Sequence, residues 1–470
     1  MTQQVKLAVL LATLIIDVLG IGIMLPIVPI LVRELSGGEL SAAAATYGLL
    51  IALYSLMQFL CGPLMGALSD RFGRRPVLLA SMGGLALDYC LLSIAPSITV
   101  VAIARILGGI MGASVATASA YIADITPPER RAQNFGLIGV AFGIGFILGP
   151  LAGGVLGEFG SRVPFYGAAA VSLLAWFFAF FFLPESLEKE NRRRFRLREA
   201  NPIGAFLIVA RYPAVLALMA VFVLAQLAER MLESTWVLFS SHQFGWGAAA
   251  VGLSLAWVGV LFVVTQGVLV RFVVPRLGEW RTLTVGLAVS VVGMTALGLS
   301  TQGWMMFVIT VPYVFGWGLT GPAIQAIVTR AVPKNQQGIL QGAMSSVGTF
   351  TGVIGPPIAG ALFGYFVSPA APVNLPGAAL LLGSLMFVAG LLLTLRPSPE
   401  KTAELAAEAK RAAAEAANGH AAPVAAKTNG AAAHKDSLAP LAATSPVGQM
   451  SASMASEAKR GEGREIGESG

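Results

Sequence analysis

The sequence predicts an all-α membrane protein with twelve transmembrane helices in two pseudo-symmetric six-helix halves. Three observations lead there. Apolar runs long enough to cross a bilayer recur from residue 6 to residue 396. Charged residues make up 12% of the 470, too few to cover a soluble surface, and mean hydropathy is +0.76. Landmarks of the first half also return in the second at a nearly constant offset. The runs are continuously apolar and do not alternate, which favours helices over a barrel.

The spans fall at roughly 7–32, 45–68, 77–95, 99–124, 134–158 and 164–183, then 213–240, 248–272, 282–300, 303–329, 338–366 and 376–396. Met1 to Lys6 is too short and weakly charged for a cleaved signal, so the first run is expected to stay as a span. Residues 1–183 form the N-terminal half and 213–396 the C-terminal half. Between them, 184–212 holds Arg192, Arg193, Arg194, Arg196 and Arg198 among several glutamates and reads as a polar linker. Residues 397–470 are rich in Ala, Gly, Ser, Glu and Lys; they read as a disordered tail dispensable for transport.

The repeat supports two related halves. Gly149-Pro150 returns as Gly355-Pro356, 206 residues on. Arg71-Phe-Gly73 returns as Arg276-Leu-Gly278, 205 on, and Pro128 as Pro333, also 205 on. Parallel repeats of this kind place a transport site between the halves, near the bilayer midplane.

The net charge of +7 does not point to nucleic acid, because of where the charge sits. Of 23 Lys and Arg before residue 397, only Arg33 and Arg162 fall in loops on one side; Arg105 and Arg230 lie within spans. The other 19 share the side of the 66–75 loop, which the positive-inside rule assigns to the cytoplasm together with both termini. Cys61 and Cys90 lie in apolar runs and imply no disulfide framework. No phosphate-binding loop is present, so ATP is not expected, and the three histidines lack metal spacing. No enzyme motif, cofactor or metal site is read.

The loop Gly66-Ala-Leu-Ser-Asp70-Arg71-Phe-Gly73-Arg74-Arg75 carries more than topology requires, since a basic loop needs neither Gly nor Asp. A carboxylate at Asp70 near the start of span 11 would be stabilised by that helix's positive end, clamping the halves in one state and releasing them in another. Arg74 is placed to pair with Asp124 at the end of span 4. Gly149 and Pro150 supply close approach and a bend in span 5.

Six charges lie within spans: Asp17, Asp88, Arg105, Glu229, Arg230 and Glu233. Each costs about 2.5–3.5 kcal/mol alone at a span centre, so together they must pair, take up protons or face water. Asp88 and Arg105, in consecutive spans, can pair. Glu229 and Glu233 share one helical face, with Arg230 three residues before Glu233. Two like charges that close do not both ionise readily, which suits a proton carrier. A structural ion-pair cluster is the alternative. Gln58, Gln226, Trp236 and Gln325, with Arg105 and Arg230, are candidate substrate-binding groups for an amphipathic organic molecule.

Several of these stretches carry a family resemblance. The 66–75 loop resembles the signature loop of the major facilitator superfamily. Asp17-Val-Leu-Gly20-Ile-Gly22-Ile-Met-Leu-Pro26-Ile-Val-Pro29, Leu87-Asp88-Tyr89, the Arg105-Ile-Leu-Gly108-Gly109 motif, Tyr121-Ile-Ala-Asp124 and Gly149-Pro150 follow in the order of its tetracycline–proton antiporter group. The resemblance covers about residues 7–396. It implies alternating access and exchange of a drug for a proton; the compact chain itself fits a bacterial inner membrane, and a monomer whose partners are a small-molecule substrate, protons and lipid is expected. It implies that Asp17 and Asp88 are intramembrane acids, that Arg105 is the span-4 arginine, and that Gln58 matches a span-2 position. One departure matters: where the group carries a span-9 aspartate, this sequence has Ser290, whereas span 7 carries Glu229, Arg230 and Glu233. Asp17, Asp88, Glu229 and Glu233 are therefore the candidate proton-coupling acids, with span 7 an alternative to the route through span 9. Transport of a sugar, metabolite or lipid, and a non-transporting sensor of the same fold, are the rival readings.

Overall fold

The computed structural model describes residues 3–112, 114–127, 130–192, 213–331 and 337–395. The expected tail, most of the linker and the Pro128/Pro333 pair lie outside the described residues. The helices are α1 Gln3–Leu35, α2 Leu40–Phe72, α3 Arg74–Ile94, α4 Ile98–Ile125, α5 Arg131–Gly157 and α6 Val163–Phe182. The second set is α7 Pro213–Phe244, α8 Ala248–Leu277, α9 Glu279–Gly298, α10 Gly303–Ala331, α11 Gln337–Val367 and α12 Ala378–Thr394. Ten of these are long and apolar enough to cross a membrane. The two others differ for physical reasons: α7 carries Glu229, Arg230 and Glu233, and α12 has 17 residues.

Breaks fall where backbone chemistry demands them. Helix α1 turns over Leu25–Ile27, and Pro29 starts its second segment, where a missing N–H costs nothing. Gly73 (φ 109°) separates α2 from α3, and Gly278 (φ 75°) separates α8 from α9. Both glycines hold a left-handed conformation that other side chains resist. Thus the Arg71–Gly73 and Arg276–Gly278 repeat is a repeated backbone corner.

The two halves share one packing plan. In the first, α1 packs on α5 and α6, and α3 on α4 and α6; in the second, α7 packs on α11 and α12, and α9 on α10 and α12. The halves meet along two seams, α2 with α11 and α5 with α8.

Those seams are closed on the face opposite the 66–75 loop. Gly364 lies against Ser41, Gly360 against Ala44 and Gly48 against Pro356, backbone to backbone. Across the other seam, Gly154 and Gly157 lie against Ala248. Gly22 of α1 packs on Gly149 and Pro150 within the first half, so that motif joins α1 to α5. Toward the loop face the packing lapses. At Gly62, Gly66, Gly136, Gly139, Gly267 and Gly342 no atom lies within 4 Å of where a side chain would begin. The described state is closed on one face and parted on the other.

Candidate functional site

In the first half the charges collect beneath α4. Arg105 Nη2 donates to Asp88 Oδ2 at 2.5 Å, with side chains only 6% and 1% exposed. Its guanidinium also lies 5.6 Å from the Tyr54 ring and donates to Met24 Sδ at 3.4 Å. A buried pair survives desolvation only with close geometry and further contacts, which Tyr54 and Met24 supply.

The glycines beside Arg105 explain how Asp88 and Tyr54 approach. A methyl on Gly108 would sit 2.7 Å from Asp88 Oδ2 and 3.3 Å from the Tyr54 ring. One on Gly112 would crowd the Tyr54 hydroxyl at 3.0 Å and Gln58 Nε2 at 3.1 Å. Gln58 donates to the Gly112 carbonyl at 3.3 Å, so it ties α2 to α4. Asp17 is buried on α1, within electrostatic range of Tyr54 and Tyr89.

In the second half, Arg230 pairs with Glu233 one turn on. The stem of Arg230 lies against Gly355, with Gly352 beside it facing Ser55 of α2. The Glu233 side chain is 52% exposed, whereas Glu229 is half-buried. The Tyr313 hydroxyl is buried near both glutamates and has no hydrogen-bond partner. Tyr47 of α2 lies within electrostatic range of both Arg105 and Glu233. Gly352 lies between Ser55 of α2 and Arg230, and the neighbouring Tyr54 lies against Arg105, so α2 runs between the two charge clusters.

The remaining candidates divide. Gln226 lines a pocket of about 140 Å³ with Gln266 and Trp317. Gln325 is exposed and donates to Gln341 at 3.3 Å. Trp236 is turned away: it is buried and gives its indole N–H to Ser254 at 2.9 Å, fastening α7 to α8. Ser290 is buried, and its hydroxyl donates to the Gly286 carbonyl at 2.8 Å in its own helix, so it is locally satisfied. Sequence reasoning missed Tyr47, Gln266, Tyr313 and Trp317. Only Gln266, an amide in an apolar run like Gln226, left a signal of the kind used.

The 66–75 loop forms a knot within the first half. Arg74 donates to Asp70 at 2.5 Å, Ser69 at 3.1 Å and Asp124 at 3.0 Å. Glu185 accepts the backbone N–H groups of Arg74 and Arg75 at 2.8 and 3.3 Å, a carboxylate at the positive end of α3. Arg75 binds the Phe180 carbonyl at 2.6 Å, and Arg71 lies over Phe72. Asp70 thus meets Arg74; residues 332–336, before the expected partner helix α11, lie outside the described residues.

Twelve helices in two like halves, ten of them long and apolar enough to cross a membrane, with charge clusters near their junction and a basic corner on one face, define a transporter-like membrane fold. The chain belongs to the Major Facilitator Superfamily, whose model matches residues 10–356. It is 40% identical over 363 residues to the tetracycline resistance protein, class C, of Escherichia coli, spanning 77% of this chain and 91% of that relative. It is 38% identical over 341 residues to the class G protein of Vibrio anguillarum, spanning 73% and 86%. The human organic anion transporter MFSD10 (TETRAN) shares the fold with a TM-score of 0.63 at 24% identity, over 83% of this chain and 99% of that one. The chain is a multi-span membrane transporter of a small molecule, not an enzyme.

Proposed function

We propose that this protein exports a tetracycline-type drug in exchange for protons. The observation that carries the reading is the pair of charge clusters, Asp88–Arg105 in one half and Arg230–Glu233 with Glu229 in the other, with α2 passing between them through Tyr54 and Ser55. An alternating-access carrier needs titratable groups where the halves part, since only there do they meet each side in turn. The resistance relatives supply the substrate class.

In this reading Asp17, Asp88, Glu229 and Glu233 carry protons, and Gln58, Arg105, Gln226, Arg230 and Gln325 contact substrate. Gly66, Asp70, Arg71, Gly73, Arg74, Arg75, Asp124, Gly149 and Pro150 form the switch. The protein acts as a monomer in a bacterial inner membrane, with residues 1–183 and 213–396 as its halves. Both termini lie in the cytoplasm. One proton crossing 100 mV releases about 2.3 kcal/mol, which supports roughly a 50-fold gradient of a neutral compound.

The test is tetracycline-induced proton release from everted vesicles. Wild type should release protons, and a Glu229→Gln/Glu233→Gln pair should not. Release that survives this pair and vanishes in Asp17→Asn/Asp88→Asn would return the coupling to the first half. Correctly inserted wild type with no response to tetracycline or a dye panel would overturn drug export.

A further inference from the structure

The pocket near Gln226 has a size and lining that define what enters it. Helix α8 contains one π-helical turn, Thr265–Leu269, and such turns re-aim side chains at the expense of regular bonding. The turn presses on α10 where Gly318 has no side chain; a methyl there would meet Thr265 Cγ2 at 2.6 Å. Gln266 is then tethered by its Nε2 to the Gly318 carbonyl at 3.2 Å, which leaves its amide oxygen as an acceptor. Phe262, one turn earlier, lies 5.5 Å from the Trp317 ring. With Phe222 and Gln226 these groups line a half-open pocket of about 140 Å³.

That volume decides the occupant. A cavity of about 150 Å³ accepts benzene, whereas sites for whole drug-sized ligands run to about 300–1,000 Å³. The pocket seats about one ring, and its open side leaves the rest of a larger molecule outside. Aromatic walls favour a ring, and two amides favour hydroxyl or carbonyl substituents on it.

We propose that this pocket is an aryl subsite, taking one aromatic ring that bears hydrogen-bonding substituents. The assignment rests on the export reading only for the identity of the full substrate. Trp317 walls the subsite together with Phe262, whose ring lies beside it.

Gly321 provides the test. It lines the pocket, and nothing lies within 4 Å of where its side chain would begin. Gly321→Leu therefore fills the space, and Gly321→Ala, a better helix former, controls for folding. The probe is salicylamide, a single ring with a hydroxyl and a carboxamide, bound to the purified full chain and followed by tryptophan fluorescence. Wild type and Gly321→Ala should bind it alike, and Gly321→Leu at least about tenfold more weakly. Gln266→Leu, which keeps the volume, should weaken salicylamide about tenfold and benzene less than about twofold. Equal salicylamide affinity in wild type and both leucine variants, or no binding by wild type, would overturn the subsite. Tetracycline-induced proton release, measured in parallel on wild type, reports the export reading separately. Its absence alongside ring binding would remove the drug and leave the subsite.

Discussion

Glu158 of one half holds the first turn of a helix in the other: its Oε1 accepts the backbone N–H of Ala249 at 3.0 Å. Glu158 follows the last residue of α5, and Ala249 is the second residue of α8, on the face where the seams are closed. A carboxylate at a helix start gains about 0.3–1 kcal/mol from unpaired N–H groups and the helix dipole. That gain exists only while the face is shut. Glu158→Ala should shift the balance between the two faces about two- to fivefold toward opening here. Spin-label distances between the ends of α5 and α8 would measure it; an unchanged distribution would count against this latch.

Gly108 is predicted to be as indispensable as the acid it faces. Gly108→Ala puts a methyl 2.7 Å from Asp88 Oδ2 and pushes the carboxylate off Arg105. Separating a buried pair costs about 3–5 kcal/mol when one charge is stranded. Transport should fall at least as far as in Asp88→Asn, and thermal unfolding in detergent should come earlier. Near-wild-type activity in Gly108→Ala would show that the pair tolerates displacement.

Arg74 should not be replaceable by lysine. Its guanidinium spans Asp70, Ser69 and Asp124 together, a forked geometry that a single ammonium does not reproduce. Arg74→Lys keeps the charge, so insertion and topology should survive while transport drops. Protease mapping of the loops would confirm topology, and drug efflux would report the loss.

Glu185 anchors the start of α3 through two backbone N–H groups. Glu185→Ala leaves those donors without a protein partner and should cost about 0.5–2 kcal/mol of stability. The expected signature is a lower unfolding temperature with substrate affinity unchanged. A change in affinity without one in stability would place Glu185 in the transport path instead.

Hydropathy and the positions of arginine made the fold legible, because lipid penalises every exposed backbone group and every stray charge. The same penalty made Asp88 and Arg105 legible as partners. It is silent about uncharged groups: Gln266 is aimed by a π-turn, and Tyr47 looks like any aromatic in an apolar run. The indole N–H of Trp236 is bonded to Ser254, a contact that its sequence position does not announce. The helix-start contact was expected from Asp70 on the loop face. A counterpart occurs at Glu158 on the opposite face, where an exposed acid at a helix end reads as ordinary surface.

Gly62→Leu and Gly342→Leu are predicted to fold normally and fail to transport. Neither glycine touches anything in the state described, so added bulk meets no clash here. When the loop face shuts, that bulk stands between α2 and α11. The variants should bind drug and stay open on the loop face, as cysteine labelling at the ends of α2 and α11 would show.

The bare stretches on the loop face also divide two kinds of selection. Positions such as Gly48 and Gly360 are guarded by the energy of this conformation, because any side chain collides at once. Gly62 and Gly342 are guarded only by the need to reach a different one. A screen for folded protein would score them as freely variable, while growth in the presence of drug would hold them fixed. The difference between those two tolerance maps would trace the contact surface of the opposite state, residue by residue.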